Sequence, residues 1–253
     1  MFKYLVLILK LGLFILFNYP KILRYSRKKD KYPLSVRYEY GRKLIKRIDK
    51  ALKVDFHICG KENMIDEGNV VFLGNHQSNF DPLLLIDLFE TPTTFVSKIE
   101  TLNFPFVGRV ATFLDVLFMD RNDLRQSLNI MKEVAKRLKE DQARFVIFPE
   151  GTRSKDDLKT IAEFKPGAFK APMKAEATIV PVAIFGSYKP LNTKYHQKKY
   201  RVDIHFFEPI RYEDYKDLST YDLASKVEEM IKEKVSEFRL NQPDMVELLK
   251  NED

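Results

Sequence analysis

One cysteine, Cys59, stands among 253 residues, so no internal disulfide can form and the fold does not lean on an oxidising compartment. Histidine is scarce too: His57, His76, His196 and His205 are the four, and none are paired at metal-ligand spacing. With a single thiol this argues against a zinc site. No G-x-S-x-G stretch occurs, which removes the serine-hydrolase elbow. Cys59 then reads as a small buried side chain rather than a nucleophile. There is no internal repeat, and no low-complexity tract beyond a basic stretch near the N-terminus.

Apolar residues make up 45% of the chain, enough for the core of one large α/β domain with an appendage. The net charge of +7 is unevenly placed. Residues 1–53 hold 15 Lys and Arg against 3 Asp and Glu, a net of +12. Residues 54–253 hold 28 against 33, a net of −5. A nucleic-acid-binding protein would spread cations over its folded surface, so no nucleic acid is expected as a partner. Here the cations crowd beside an apolar segment, as they do where a chain meets anionic lipid headgroups.

That segment is "YLVLILKLGLFILFNYP" (4–20). As a helix it falls just short of a ~30 Å hydrocarbon core. Lys10 in its middle costs ~2.5–3.5 kcal/mol on insertion, and the Leu, Ile, Val and Phe around it return ~0.3–0.6 kcal/mol each. The segment can span or merely embed. No small-residue cleavage site follows, which disfavours a removable signal. Asn18 and Pro20 are expected to end the helix. Lys21, Arg24, Arg27, Lys28, Lys29 and Lys31 follow and should stay cytoplasmic. A second, amphipathic helix is predicted over 33–54. Its stripe of Leu44, Ile45, Ile48 and Leu52 would lie on a membrane surface, or else pack on the domain. Residues 1–54 are thus expected to form a membrane-associated helical pair, with the rest of the domain on the cytoplasmic side.

From residue 55 onward, apolar β-rich runs alternate with helical patterns. Strands are predicted at 55–60, 69–74, 94–98, 116–120, 144–150, 178–185 and 200–207. Helices are predicted from Pro82, with Asp81 as N-cap, then over 123–141 and 219–240. Leu124, Leu128, Met131, Val134 and Leu138 share one face of the 123–141 helix. Several strands are apolar without alternation, as when both sheet faces are covered. The fold class is α/β, with a mixed, mainly parallel sheet covered by helices.

"NHQSNFD" (75–81) puts His76 directly after a buried strand and Asp81 at the start of a helix. Ligands of α/β folds gather at such strand ends. Histidine can accept a proton near neutral pH, and a carboxylate on its other nitrogen fixes the tautomer. A polar turn would also satisfy the pattern. "FPEGTRS" (148–154) closes another strand. Gly151 permits close backbone approach, and Arg153 offers a planar fork for phosphate, or else pairs with Glu150 on the surface. Lys98, Arg121 and Lys165 recur at element ends, and jointly they suggest an anion pocket.

Taken in order, "NHQSNFD", the Arg after "VLFMD" (116–120), "FPEGTRS" and "IVPVAI" (179–184) resemble the sequence blocks of the glycerolipid acyltransferase family, nearest the 1-acylglycerol-3-phosphate acyltransferases. The likeness covers roughly residues 70–186, and "SKIETLNFPFVGRV" (97–110) fits between the first two blocks. The Met in "FMDR" replaces the more common Ile. The resemblance implies an acyltransferase domain over 55–253. In it His76 is the general base, oriented by Asp81. Glu150, Gly151, Thr152 and Arg153 would lie around the acceptor, with Lys98 and Arg121 adding charge for its phosphate. A backbone amide near Gly151 is a candidate oxyanion donor. The implied reaction moves an acyl chain from a thioester, on acyl carrier protein or coenzyme A, to lysophosphatidate in a membrane, with no metal or other cofactor. Two rivals are an acyltransferase for glycerol 3-phosphate or another lysolipid, and a non-catalytic membrane protein that binds lipid phosphate.

Overall fold

The computed structural model describes residues 2–153, 161–192, 195 and 197–242. In chain order the elements are α1 (Phe2–Arg27), α2 (Leu34–Ala51), β1 (Val54–Cys59), β2 (Val70–Gly74), α3 (Asp81–Leu88), β3 (Thr93–Lys98), α4 (Pro105–Phe113), β4 (Leu117–Met119), α5 (Leu124–Lys139), β5 (Arg144–Ile147), α6 (Lys170–Ala175), β6 (Thr178–Phe185), β7 (Tyr200–Phe206) and α7 (Thr220–Leu240). The seven strands form one sheet in the order β1-β7-β6-β2-β5-β3-β4. The five from β6 to β4 run parallel; β7 runs antiparallel to β6, and β1 follows β7. The mixed, mainly parallel α/β class read from the sequence is therefore the observed one.

Helices cover both faces, which is why strands such as "VVFLG" are apolar at every position. Val71 and Leu73 point into a core with α5, α6 and α7. Val70 and Phe72 point into a second core with α2 and α3. Local signals set the helix ends. Asp123 accepts the Gln126 N–H at the start of α5, and Ser219 accepts the Asp222 N–H at the start of α7. Gly108 lets α4 press onto the preceding turn, because a Cβ there would lie 2.9 Å from the Leu102 carbonyl oxygen.

Several expectations need correction. Helix α1 does not end at Asn18 or Pro20 but runs to Arg27. Pro20 forfeits one backbone hydrogen bond without stopping the helix, and Asn18 turns its side chain back onto the Phe14 carbonyl at 2.7 Å. Ile45 of α2 and Leu52 just after it are buried, and Leu44 and Ile48 pack against the same core. The apolar stripe of α2 thus faces the domain, since the eight-residue α3 cannot cover that face of the sheet alone. Lys43, Lys46, Arg47, Lys50 and Lys53 remain exposed. Cys59 is exposed rather than buried, because β1 is an edge strand. Along α5, Val134 and Leu138 are buried, but Leu124 and Leu128 are 75% and 40% exposed. The start of the stripe is left uncovered. Among the described residues no helix is long and apolar enough to cross a membrane.

Helices α1 and α2 run antiparallel. The Arg47 guanidinium lies over the Phe14 ring, Tyr40 donates to Asn18 at 2.6 Å, and Tyr25 stacks on Tyr32. Their joined end is closed by Arg37 and Lys29, which both pair with Asp115 just before β4.

Candidate active site

Register places the site. Leu73 of β2 pairs with Ile147 of β5, Phe95 of β3 with Val146, and Val96 with Leu117 of β4. Four adjacent parallel strands therefore end at one level, spaced by about 5 Å. The candidate residues of the sequence sit at these ends: His76 after β2, Glu150 to Arg153 after β5, Lys98 closing β3 and Arg121 after β4.

His76 is half-buried and stacks on Phe148, with ring centroids 4.3 Å apart. Its Nδ1 lies 2.7 Å from Oδ2 of Asp81. The same oxygen accepts the backbone N–H groups of Gln77 at 2.7 Å and Ser78 at 2.9 Å. Asp81 is fully buried. It does not cap α3 as expected. Phe80 occupies the cap position, Asp81 is the first helical residue, and its carboxylate gathers the loop that precedes the helix. With three donors on one oxygen, Asp81 holds both the ring and the backbone beside it. A proton on Nδ1 leaves Nε2 as the basic nitrogen, and no described residue bonds it.

Glu150 departs most from the sequence reading. It is 1% exposed, and both of its oxygens are taken by backbone. Oε1 accepts the His76 N–H at 2.6 Å, and Oε2 accepts the Ala162 N–H at 2.9 Å. Burial pushes its pKa up to about 7, against the two amides that favour the charged form. Among the described residues it pairs with no arginine; it ties the His76 backbone to Ala162. The Gly151 N–H is likewise committed, donating to the Phe148 carbonyl at 3.0 Å. Gly151 itself is needed for its φ of +67° and because Lys165 crosses it. A Cβ there would sit 3.2 Å from the Lys165 ammonium.

Thr152 and Arg153 are exposed, and among the described residues no carboxylate pairs with the Arg153 guanidinium. Ser154, the last residue of its block, lies outside the described residues. Lys98 and Arg121 are exposed at the same edge. Desolvation lowers the Arg121 pKa and Glu100 raises it, which leaves the side chain cationic. The structure thus brings an imidazole with its carboxylate partner to the same strand edge as Lys98, Arg121 and Arg153.

The family profile described as Acyltransferase matches residues 55–185, just over half of the chain. The chain belongs to this acyltransferase family. A Mycoplasma pneumoniae protein named probable 1-acyl-sn-glycerol-3-phosphate acyltransferase is 29% identical over 239 residues, 88% of each chain. The Escherichia coli 1-acyl-sn-glycerol-3-phosphate acyltransferase is 29% identical over 171 residues, 67% of this chain and 68% of its own. The crystal structure of the 1-acyl-sn-glycerophosphate (LPA) acyltransferase PlsC from Thermotoga maritima shares the fold, with a TM-score of 0.66 and 24% identity over 90% of this chain and 96% of that one.

Three residues of this acyltransferase site escaped the sequence reading. Asn75 uses both ends of its amide on the Ile184 backbone, donating to O at 2.9 Å and accepting from N at 2.8 Å. Gln77 accepts the Gly186 N–H at 3.0 Å. Side chains thereby continue the β2–β6 ladder past the end of the strand, on both sides of His76. Phe148 supplies the flat wall behind the imidazole. The available signal was two amide residues flanking a histidine right after a fully apolar strand, where buried polar groups must find backbone partners.

Proposed function

We propose that this chain transfers an acyl group from an acyl thioester to the free hydroxyl of 1-acylglycerol 3-phosphate, forming phosphatidic acid. The observation that carries this reading is the 2.7 Å contact between His76 and the buried Asp81 at the strand edge, beside a row of exposed cations. Lipid binding alone needs no oriented base. The acceptor hydroxyl gives its proton to His76 Nε2 while its oxygen attacks the thioester carbonyl. Asp81 supports the imidazolium that forms. The carbon–sulfur bond then breaks, and the proton passes from Nε2 to the leaving thiolate. Arg153 binds the acceptor phosphate as a bidentate fork, with Lys98 and Arg121 adding charge. Gly151 and Thr152 shape the turn that presents Arg153, and Glu150 acts from behind by fixing the His76 backbone.

The donor is acyl carrier protein or coenzyme A carrying the chain, and no metal or organic cofactor is required because the thioester is already activated. The domain works at the cytoplasmic face of a membrane, held there by α1 and the basic residues after it. The test is purified full-length protein with lysophosphatidate and each donor, the product identified by mass. Phosphatidic acid with matched thiol release is expected. Free fatty acid without an acceptor, or no turnover with any thioester, would refute the reading.

A further inference from the structure

The catalytic edge carries apolar surface that the chemistry above does not use. Leu102, Phe104 and Val107, on the turn after β3 and the first turn of α4, are 46%, 57% and 52% exposed. They form one raised patch, because Gly108 draws α4 against the Leu102 backbone and Ser97 ties down Thr101 at 2.9 Å. On the neighbouring strand end, Leu124 and Leu128 continue the core stripe of α5 out past the sheet. These are side chains of core type, presented to solvent on ordered helices at one pole of the molecule. Apolar side chains gathered at one edge in this way mark an interaction site.

We infer that the turn 99–104, the first turn of α4 and the first turns of α5 form a rim that inserts into an anionic lipid bilayer and seats the catalytic edge on it. The inference rests on the acyl-transfer reading, whose acceptor is an amphiphile. Its headgroup must reach His76 while its chain stays out of water, and an apolar rim at the same edge meets both needs. Charge and continuity select the partner. α4 packs against α1, whose Leu16 and Phe17 are 63% and 80% exposed. That helix belongs to the N-terminal fifth of the chain, with its net charge of +12. Apolar depth beside positive charge complements anionic headgroups over hydrocarbon. The rim is a contact separate from α1, made by the catalytic domain itself.

The chain contains no tryptophan, so a single introduced one is a clean reporter. Full-length Phe104→Trp and, as a control at the exposed end of α7, Leu240→Trp are mixed with phosphatidylcholine vesicles containing phosphatidylglycerol. A blue shift and quenching by brominated lipid are expected for Phe104→Trp alone. The absence of both once flotation shows all protein bound, or an equal response in the control, overturns the rim. A shift that grows with protein concentration without lipid also overturns it and points to a second copy on the patch. A double variant, Leu102→Asp with Phe104→Asp, should slow acylation of long-chain lysophosphatidate in vesicles by about tenfold, equal to about 1.4 kcal/mol. It should leave a short-chain, monomeric acceptor nearly unaffected. Equal rates, or equal losses on both acceptors, overturn the inference while the acyl-transfer reading stands. Failure of the wild type on both acceptors removes that reading, and the fluorescence still decides insertion.

Discussion

Glu150→Gln isolates the tie between the base and the rest of the site. The substitution keeps size and shape but leaves one acceptor oxygen where two N–H groups converge, at 2.6 Å from His76 and 2.9 Å from Ala162. One of those groups then faces an NH₂. Leaving a buried N–H without an acceptor at a site 1% exposed costs about 1–3 kcal/mol, measured against the neutral carboxyl whose hydroxyl oxygen can still accept. An opposing effect has its own pH signature. The rise in the Glu150 pKa from 4.5 to about 7 corresponds to a penalty of about 3 kcal/mol for holding the charge once pH exceeds both values. In that window the folded state binds more protons than the unfolded, so wild-type stability falls as pH rises from about 4.5 to about 7 and then levels. Gln carries no such slope. The variant should melt well below wild type near pH 5 and close to it near pH 8. Activity should respond differently: a displaced His76 backbone should lower kcat by roughly 10–100-fold at every pH, with KM little changed. Melting curves across the pH series and steady-state kinetics check both halves. Parallel melting profiles together with an unchanged kcat would refute the positioning role.

His76→Ala should abolish transfer while circular dichroism and vesicle binding stay intact; Asp81→Asn should lose most turnover and also loosen the loop, since Oδ2 serves three donors, and near-normal rates in either would sink the mechanism. Arg153→Ala should weaken use of the phosphorylated acceptor by ~10–100-fold with little change in thioester KM, and Arg153→Lys should recover only part, as an acceptor titration will show. Asp49, buried on α2, has a pKa raised to about 8 by burial and then by Asp87 of α3, so wild-type stability should fall as pH climbs from about 4 to about 8. Asp49→Asn should flatten that fall in thermal melts, and an unchanged slope would count against it.

Most of the sheet was legible because its strands are short, apolar and β-branched. Each of the seven runs read as a strand became one, to within a few residues. Helices were legible where a stripe and a cap coincide, as at Ser219 and Asp123. α4 went unread, since "PFVGRVATF" mixes aromatics, glycine and β-branched residues and forms a helix only because it packs on the Leu102 turn. The site residues were legible as chemistry at strand ends, but their roles depended on contacts between distant segments. Glu150 meets His76 across 74 positions and Asn75 meets Ile184 across 109, separations that no local pattern encodes. The stripe of α2 was ambiguous for a related reason. Sequence shows an apolar face but not whether lipid or a sheet lies beneath it.

The direction of one edge strand decides where the chain enters the domain. Because β1 runs with β7 and against the other five strands, its first residue, Val54, arrives at the edge that carries His76. Had β1 followed the majority, its 6 residues would have put that entry about 20 Å away at the opposite edge. The reversal also orients the hairpin of helices. Traced backwards from Val54, α2 descends from the catalytic pole and α1 climbs back toward it, and at 26 residues against 18 α1 overtops its partner. The free end of α1 and His76 thus share one pole; on the proposed membrane seating, lengthening α1 would raise His76 above the bilayer rather than swing it sideways. On that seating, the height at which His76 meets its substrate is set by helix length and strand polarity, apart from any residue that touches the lipid.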